Sequence, residues 1–345
     1  MTRTAQGFRW RLPWQNPSAF FHRLHCLSGF GDRIVDVWAA VTVARIHAPD
    51  ARVALYWHPE GNQYPGFTGE YEIDLFSISG CELVTESPWR SFRFPEEDTD
   101  FSDSDRIDRC LIQLPSGARQ VVLRSGREWG NSCPDRLLSE LPYYDLDPKV
   151  DLGKLVDVYR AVAADTRPSA SVVEGIPSDI ASRIGIHARL TDKILPDDKS
   201  ELTFEMSAST WRSIEARGMR YISHAIEQGE RFFICSDDLE YRAALMERIR
   251  AMGGDVVCAD LPDQHMERAG YPAVVDFFSL TRCARIVQMT KYSTYSIAAA
   301  ICGGLPLVNF FDNESGVGNR LDIWRSVLTE VHSAVDGTLP DDNSR

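Results

Sequence analysis

The 345-residue chain has no apolar run long enough to span a membrane, and none of signal-peptide length follows Arg3, Arg9 and Arg11. Its eight cysteines include no Cys-x-x-Cys pair; Cys26, Cys81, Cys110, Cys133, Cys235, Cys258, Cys283 and Cys302 stand singly. Several lie in apolar stretches, where a thiol behaves as a small hydrophobe. They are expected to be reduced and structural, as in a cytoplasmic protein, free or peripheral to a membrane. Basic residues are short: 37 Lys and Arg stand against 50 Asp and Glu, a formal net charge of −13. That field and the lack of basic clusters disfavour a nucleic-acid binder. No Gly-Lys-Ser/Thr follows the one glycine-rich segment, so there is no Walker loop, and there is no Gly-x-Ser-x-Gly elbow. His22, His25 and Cys26 lack a spaced fourth ligand, and the acidic run 96–105 lacks the glycine and terminal glutamate of a calcium loop. No metal site is expected.

What remains is the composition of a soluble enzyme, 43% hydrophobic and 25% charged, on a chain too long for one ordinary core. Two domains are expected, 1–165 and 166–335, with a frayed polar tail over 336–345. The first 22 residues read as irregular. Ile34 to Ile46 has helical spacing, Val53 to Trp57 and Gln120 to Arg124 read as strands, and Asp151 to Ala164 as a helix. The polar, proline-broken stretch Asp165 to Ser171 reads as a hinge. Beyond it, strands at 184–188, 231–235, 255–259, 285–289 and 305–310 alternate with helices at 209–228, 239–252, 272–283 and 293–302. A last helix is expected near 319–335. Such alternation implies parallel sheets flanked by helices, an α/β chain of two Rossmann-like domains with a cleft between them. Ligands in such folds sit beyond the carboxyl ends of the strands.

Four segments carry chemistry. His187-Ala188-Arg189-Leu190-Thr191-Asp192-Lys193 runs from a strand into a loop. Strand alternation puts His187 and Arg189 on one side, where a guanidinium grips phosphate and an imidazole meets a base edge or an oxygen. A polar loop with an internal Asp–Arg or Asp–Lys pair fits the same residues. Ser236-Asp237-Asp238 follows the next strand. Ser236 or Asp238 suits a helix cap, and Asp237 suits either steadying the neighbouring loop or touching nucleotide. Asp276 in Val275-Asp276-Phe277-Phe278 precedes a strand and then Tyr292-Ser293-Thr294-Tyr295-Ser296, which opens a helix. Such a start is an anion site or an ordinary Ser/Thr cap. Gly29-Phe30-Gly31-Asp32 opens the first helix as phosphate loops do, without the third glycine of the dinucleotide fingerprint.

Together these segments resemble the α-1,6-fucosyltransferases. That family shows His-x-Arg-Arg-Thr-Asp-Lys, then Thr/Ser-Asp-Asp after a strand, then an Asp before a strand and a Ser-rich helix start. Its rhizobial members open with Gly-Phe-Gly-Asp. The likeness spans about residues 27–303, and Leu190 stands where the family has a second arginine. It implies a GT-B fold and a nucleotide-sugar donor, GDP-fucose. It also implies inverting transfer to a glycan or glycolipid acceptor, with no cofactor and no metal. By position, His187 and Asp276 would read guanine, Arg189 would hold the β-phosphate, and Ser293 or a hydroxyl nearby would touch phosphate. Lys193 would help meet the leaving charge. Glu201 is the first candidate for the catalytic base, with Asp198 or Asp197 second. Another nucleotide sugar, such as GDP-mannose or a UDP-sugar, and a catalytically silent GDP- or glycan-binding protein are the rival expectations.

Overall fold

A computed structural model describes residues 19–23, 29–47, 52–56, 74–84, 107–114, 117–124, 152–191, 194–195, 206–268, 270–310 and 327–334. The first half contributes β1 (Ala19–Arg23), α1 (Phe30–His47), β2 (Arg52–Tyr56), β3 (Phe76–Ile78), β4 (Cys81–Val84), β5 (Ile107–Leu114), β6 (Gly117–Arg124), α2 (Leu152–Ala164) and β7 (Thr166–Pro168). These strands form one sheet in the order β6-β5-β1-β2-β4-β3-β7. Only β1, β2 and β4 run parallel, while β5–β6 and β3–β7 extend the two sides as antiparallel pairs. This sheet is therefore mixed rather than parallel throughout. β1 falls in the stretch read as irregular, and β5 was not anticipated.

The second half follows with α3 (Ala170–Glu174), β8 (Arg183–Ala188), β9 (Ile194–Leu195), β10 (Met206–Ser207), α4 (Ala208–Glu227), β11 (Arg231–Ser236), α5 (Leu239–Ala251) and β12 (Asp255–Val257). It closes with α6 (Tyr271–Leu280), β13 (Arg285–Gln288), α7 (Thr294–Gly303), β14 (Pro306–Asn309) and β15 (Glu330–Ser333). Six strands form a parallel sheet, β12-β11-β8-β13-β14-β15. The chain winds from β8 out to β12, then crosses to β13 on the other side of β8. The crevice at the end of β8 is thus a topological switch point.

Alternation along the strands builds two cores. Ile184, Ile186, Phe232 and Ile234 face α4 and α5, meeting Trp211, Ile214, Tyr221, Leu245 and Ile249. Phe233, Cys235 and Ile286 face the other way, onto α6 and α7. That second core runs without a break into the first half through Phe30, Ile34 and Trp38 of α1 and Tyr159 of α2.

The junction between α1 and α7 depends on Gly31. A Cβ there would lie 2.5 Å from the backbone N and Cα of Tyr295, against main chain that cannot swing away. Gly31→Ala is therefore expected to lower stability by about 1–3 kcal/mol. Thermal and denaturant unfolding against wild type will measure this, and an unchanged midpoint would refute the close approach.

Two expectations are corrected. The stretch 165–171 is no free hinge: Thr166–Pro168 pairs with β3, and Trp38 Nε1 donates to the buried Thr166 Oγ1 at 2.8 Å. Arg45 pairs with Asp165 at 3.1 Å, and Ser169 N donates to Leu75 O at 2.9 Å. Proline and polarity marked a turn in the chain, but a waiting sheet edge took it up. The helix expected over 319–335 is, in its described part, the strand Glu330–Ser333 paired with β14. Thr329, Val331, His332 and Ser333 form helices poorly, and the open edge of β14 decides the matter. Among the described residues no helix is long and apolar enough to cross a membrane, and Cys81, Cys235, Cys258, Cys283 and Cys302 are unpaired.

Candidate nucleotide site

A cavity of about 380 Å³ opens at the switch point. Gly29, Phe30 and Gly31 from the start of α1 wall one side, and His187 and Arg189 come from the end of β8. Cys235, Ser236 and Asp237 come from the end of β11, Arg242 from α5, Asp276 from α6 and Tyr295 from α7. Its volume lies at the small end of the roughly 300–1,000 Å³ range of ligand pockets. Leu261, Pro272 and Ala273 add apolar wall, and Leu239 and Met266 stand 64% and 47% exposed beside them.

The imidazole is placed by β8. Ile184, Ile186 and Ala188 take the α4–α5 face, which leaves Gly185 and His187 for the other. At Gly185 a Cβ would meet Leu280 and Cys283 side chains at 2.7 and 2.9 Å, so glycine lets α6 come close. His187 then stacks on Tyr295, ring centroids 5.1 Å apart and 29° from parallel. Its Nδ1 is buried without a hydrogen-bond partner. Burial first, then the nearby Arg189 cation, push its pKa down to about 3, so the ring is neutral at physiological pH.

Arg189 follows the end of the strand, half-buried at the cavity wall. The loop that carries it is held from the neighbouring strand. Asp237 accepts from Leu190 N at 2.8 Å and from Thr191 N at 3.3 Å, one carboxylate oxygen each. Leu190 points away, into the core with Trp211 and Ile214. A second cation at that position would not face this cavity.

Asp276 is the one carboxylate on an otherwise apolar helix, 6% exposed among Val274, Val275, Phe277 and Phe278. Its Oδ1 has no partner, and its Oδ2 is 3.7 Å from Arg242 Nη1. Burial raises its pKa to about 7, with Arg242 and then the Cys235 thiol pulling the other way. A buried orphan oxygen costs free energy that a ligand donor would recover.

The sequence-derived candidates separate into those brought together and those not. Gly29, Phe30, Gly31, His187, Arg189, Ser236, Asp237 and Asp276 line one cavity. Asp238 instead caps α5, accepting from Tyr241 N at 2.9 Å, and its own N–H donates to Ser236 Oγ at 3.2 Å. Tyr292, Ser293, Thr294 and Ser296 do not line the cavity. Ser296 Oγ donates to Gln288 Oε1 at 2.7 Å, inside the protein. Ser293 precedes α7 without making a cap bond, and its Oγ and Thr290 Oγ1 are buried without partners. The side chain of Asp32, and Lys193, Asp197, Asp198 and Glu201, lie outside the described residues; Ile194 pairs with Met206 across the gap that holds the three carboxylates.

Sequence reasoning missed Tyr295, Arg242, Cys235 and the apolar wall. Tyr295 lay inside a stretch read for its hydroxyls, while its ring is the wall and its Oη donates to Ala273 O. Arg242, one turn after the Ser-Asp-Asp segment, was legible as a cation at a helix start facing the same strand end.

No protein-family model matches this chain, and no curated protein matches it. Solved fucosyltransferases are similar in structure. The fucosyltransferase NodZ from Bradyrhizobium is 13% identical with a TM-score of 0.43, over 82% of this chain and 93% of that one. NodZ alpha-1,6-fucosyltransferase soaked with GDP-fucose gives 13% and 0.46 over 87% and 97%. POFUT1 in complex with GDP gives 13% and 0.42 over 85% and 98%.

Proposed function

We propose that this chain is a glycosyltransferase that transfers fucose from GDP-fucose to a glycan or glycolipid hydroxyl, with inversion and without a metal. The observation that carries this is the convergence of two unpartnered buried groups, Asp276 Oδ1 and His187 Nδ1, on one cavity with Arg189 at its wall. Guanine presents adjacent N–H donors on its pairing edge, which a carboxylate accepts. Apolar walls around a few placed polar groups suit a flat base. We assign Arg189, at the cavity wall, to the phosphate. The order of the four motifs along the chain agrees with this assignment.

In the reaction, charge grows on the departing diphosphate as the glycosidic bond breaks. We assign Arg189 and Lys193 to that charge and Glu201 to the acceptor's proton. Residues 1–165 are assigned to the acceptor and residues 166–335 to the donor. A cytoplasmic location fits the unpaired cysteines.

Calorimetry with GDP, GDP-fucose, GDP-mannose, UDP, UDP-sugars and ADP tests the donor. GDP is expected to bind at least about tenfold more tightly than UDP or ADP, one good base contact being worth about 1–3 kcal/mol. Transfer is expected to continue in the presence of a chelator. Equal or tighter UDP binding would sink the guanine assignment, and binding of GDP-fucose without transfer to any hydroxyl would leave a binding protein instead.

A further inference from the structure

Arg242 has no role in the assignment above, yet it lines the same cavity. It sits in the first turn of α5, four residues after the cap Asp238. Its Nη1 lies 3.7 Å from Asp276 Oδ2, beyond a hydrogen bond but close for two charges in a largely dry site. The other oxygen, Oδ1, is buried with no partner. The carboxylate is thus divided, one oxygen toward a cation and one left open.

On its own, a carboxyl among valines and phenylalanines keeps its proton. A protonated Asp276 would present an O–H donor where a base presents N–H donors. We propose that Arg242 is a positioning residue, holding Asp276 ionised and turned so that Oδ1 accepts from the N–H groups of a bound purine base. This rests on the assignment of the cavity to a nucleotide.

The groups that face Asp276 are few. Arg242 from α5 and Cys235 from β11 act on it directly. His187, Arg189, Asp237 and Tyr295 share the cavity from β8, the strand ends and α7. Glu174 of α3, which also packs on α6, pairs with His265 and faces Tyr271 instead. Removing Arg242 leaves no other cation acting directly on Asp276 among the described residues, so the proton is held more tightly.

The test is GDP binding by calorimetry between about pH 5 and about pH 9 for wild type, Arg242→Met and Arg242→Lys. Wild-type affinity is expected to rise through about pH 7, where Asp276 loses its proton, and then level. In Arg242→Met the midpoint moves up by about one unit or more, so binding is at least about fivefold weaker at neutral pH and converges on wild type in alkali. Arg242→Lys restores most of the profile. An equal loss at every pH, with the midpoint unmoved, would overturn the proposal, because a ligand contact or a folding defect acts that way. If wild type binds no GDP at any pH, the nucleotide assignment itself has failed. The positioning role is then read from unfolding of the free protein, wild type and Arg242→Met each against its Asp276→Asn counterpart. An Asp276-linked loss of stability that extends to higher pH in Arg242→Met supports it, and coincident curves refute it.

Discussion

Arg189→Ala is expected to weaken GDP binding by about 30- to 1,000-fold, which is about 2–4 kcal/mol, while leaving the binding of guanosine nearly unchanged. The asymmetry follows from the site. His187 and Asp276 are the lining groups assigned above to the base, and Arg189 lies where the strand has ended and the loop begins. The whole protein carries a formal net charge of −13, so its long-range field repels a diphosphate. Attraction must come from cations within a screening length of about 8 Å. Arg189 is half-buried, where water screens it less than on an open surface. Its backbone neighbours are fixed by Asp237, so little ordering remains to be done on binding. Calorimetry with GDP, GMP and guanosine on both proteins decides it. Equal losses for guanosine and GDP would show that the substitution disturbed the base pocket, and no loss for either would remove Arg189 from the site.

The second half of the fold, apart from the edge strand β15, was legible in the sequence because each of its buried central strands carries its own signal. Ile184–Ile186, Phe232–Ile234 and Ile286–Val287 are apolar on both faces, as a parallel sheet between two helical layers requires. The first half was less legible. β1 depends on β2 and β5, β5 on β1 and β6, and β7 exists because β3 offers it an edge. Nothing local in Thr166-Arg167-Pro168 distinguishes such a strand from a hinge. The site divides the same way. His187, Arg189, Asp237 and Asp276 stand out as polar groups at strand ends or within an apolar helix. Tyr295 and Arg242 matter only through what they touch, His187 and Asp276, partners 108 and 34 residues away in the chain. The hydroxyls of Ser293, Thr294 and Ser296 drew attention by type, but the helix they open turns Tyr295 toward the cavity.

Asp276→Asn is expected to act in opposite directions on binding and on stability. Asn has nearly the shape of Asp, but its amide presents N–H donors to a base edge that is itself a donor. GDP affinity should fall by at least about 100-fold, the loss of a charge-assisted pair together with an unmatched buried group. The free protein should gain. The folded state raises this carboxyl from an ordinary 3.8 to about 7, so it favours the proton. The stability this contributes is full below about pH 4, is lost as pH rises, and is gone above about pH 7, where the fold holds a buried carboxylate. Three pKa units correspond to about 4 kcal/mol. Arg242 already offsets part of the burial cost in wild type, and that offset is included in the raised value. At alkaline pH the Asn variant should therefore unfold at a higher temperature than wild type, and the two should converge near pH 4. Saturating GDP narrows the gap, since about 100-fold excess over the wild-type Kd stabilises the binder by about 2.7 kcal/mol and the weaker variant by only about 0.4 kcal/mol. Melting curves across pH, with and without GDP, read both signs in one experiment. A free Asn variant less stable than wild type in alkali would mean that the carboxylate is kept to anchor Arg242 rather than to receive a ligand.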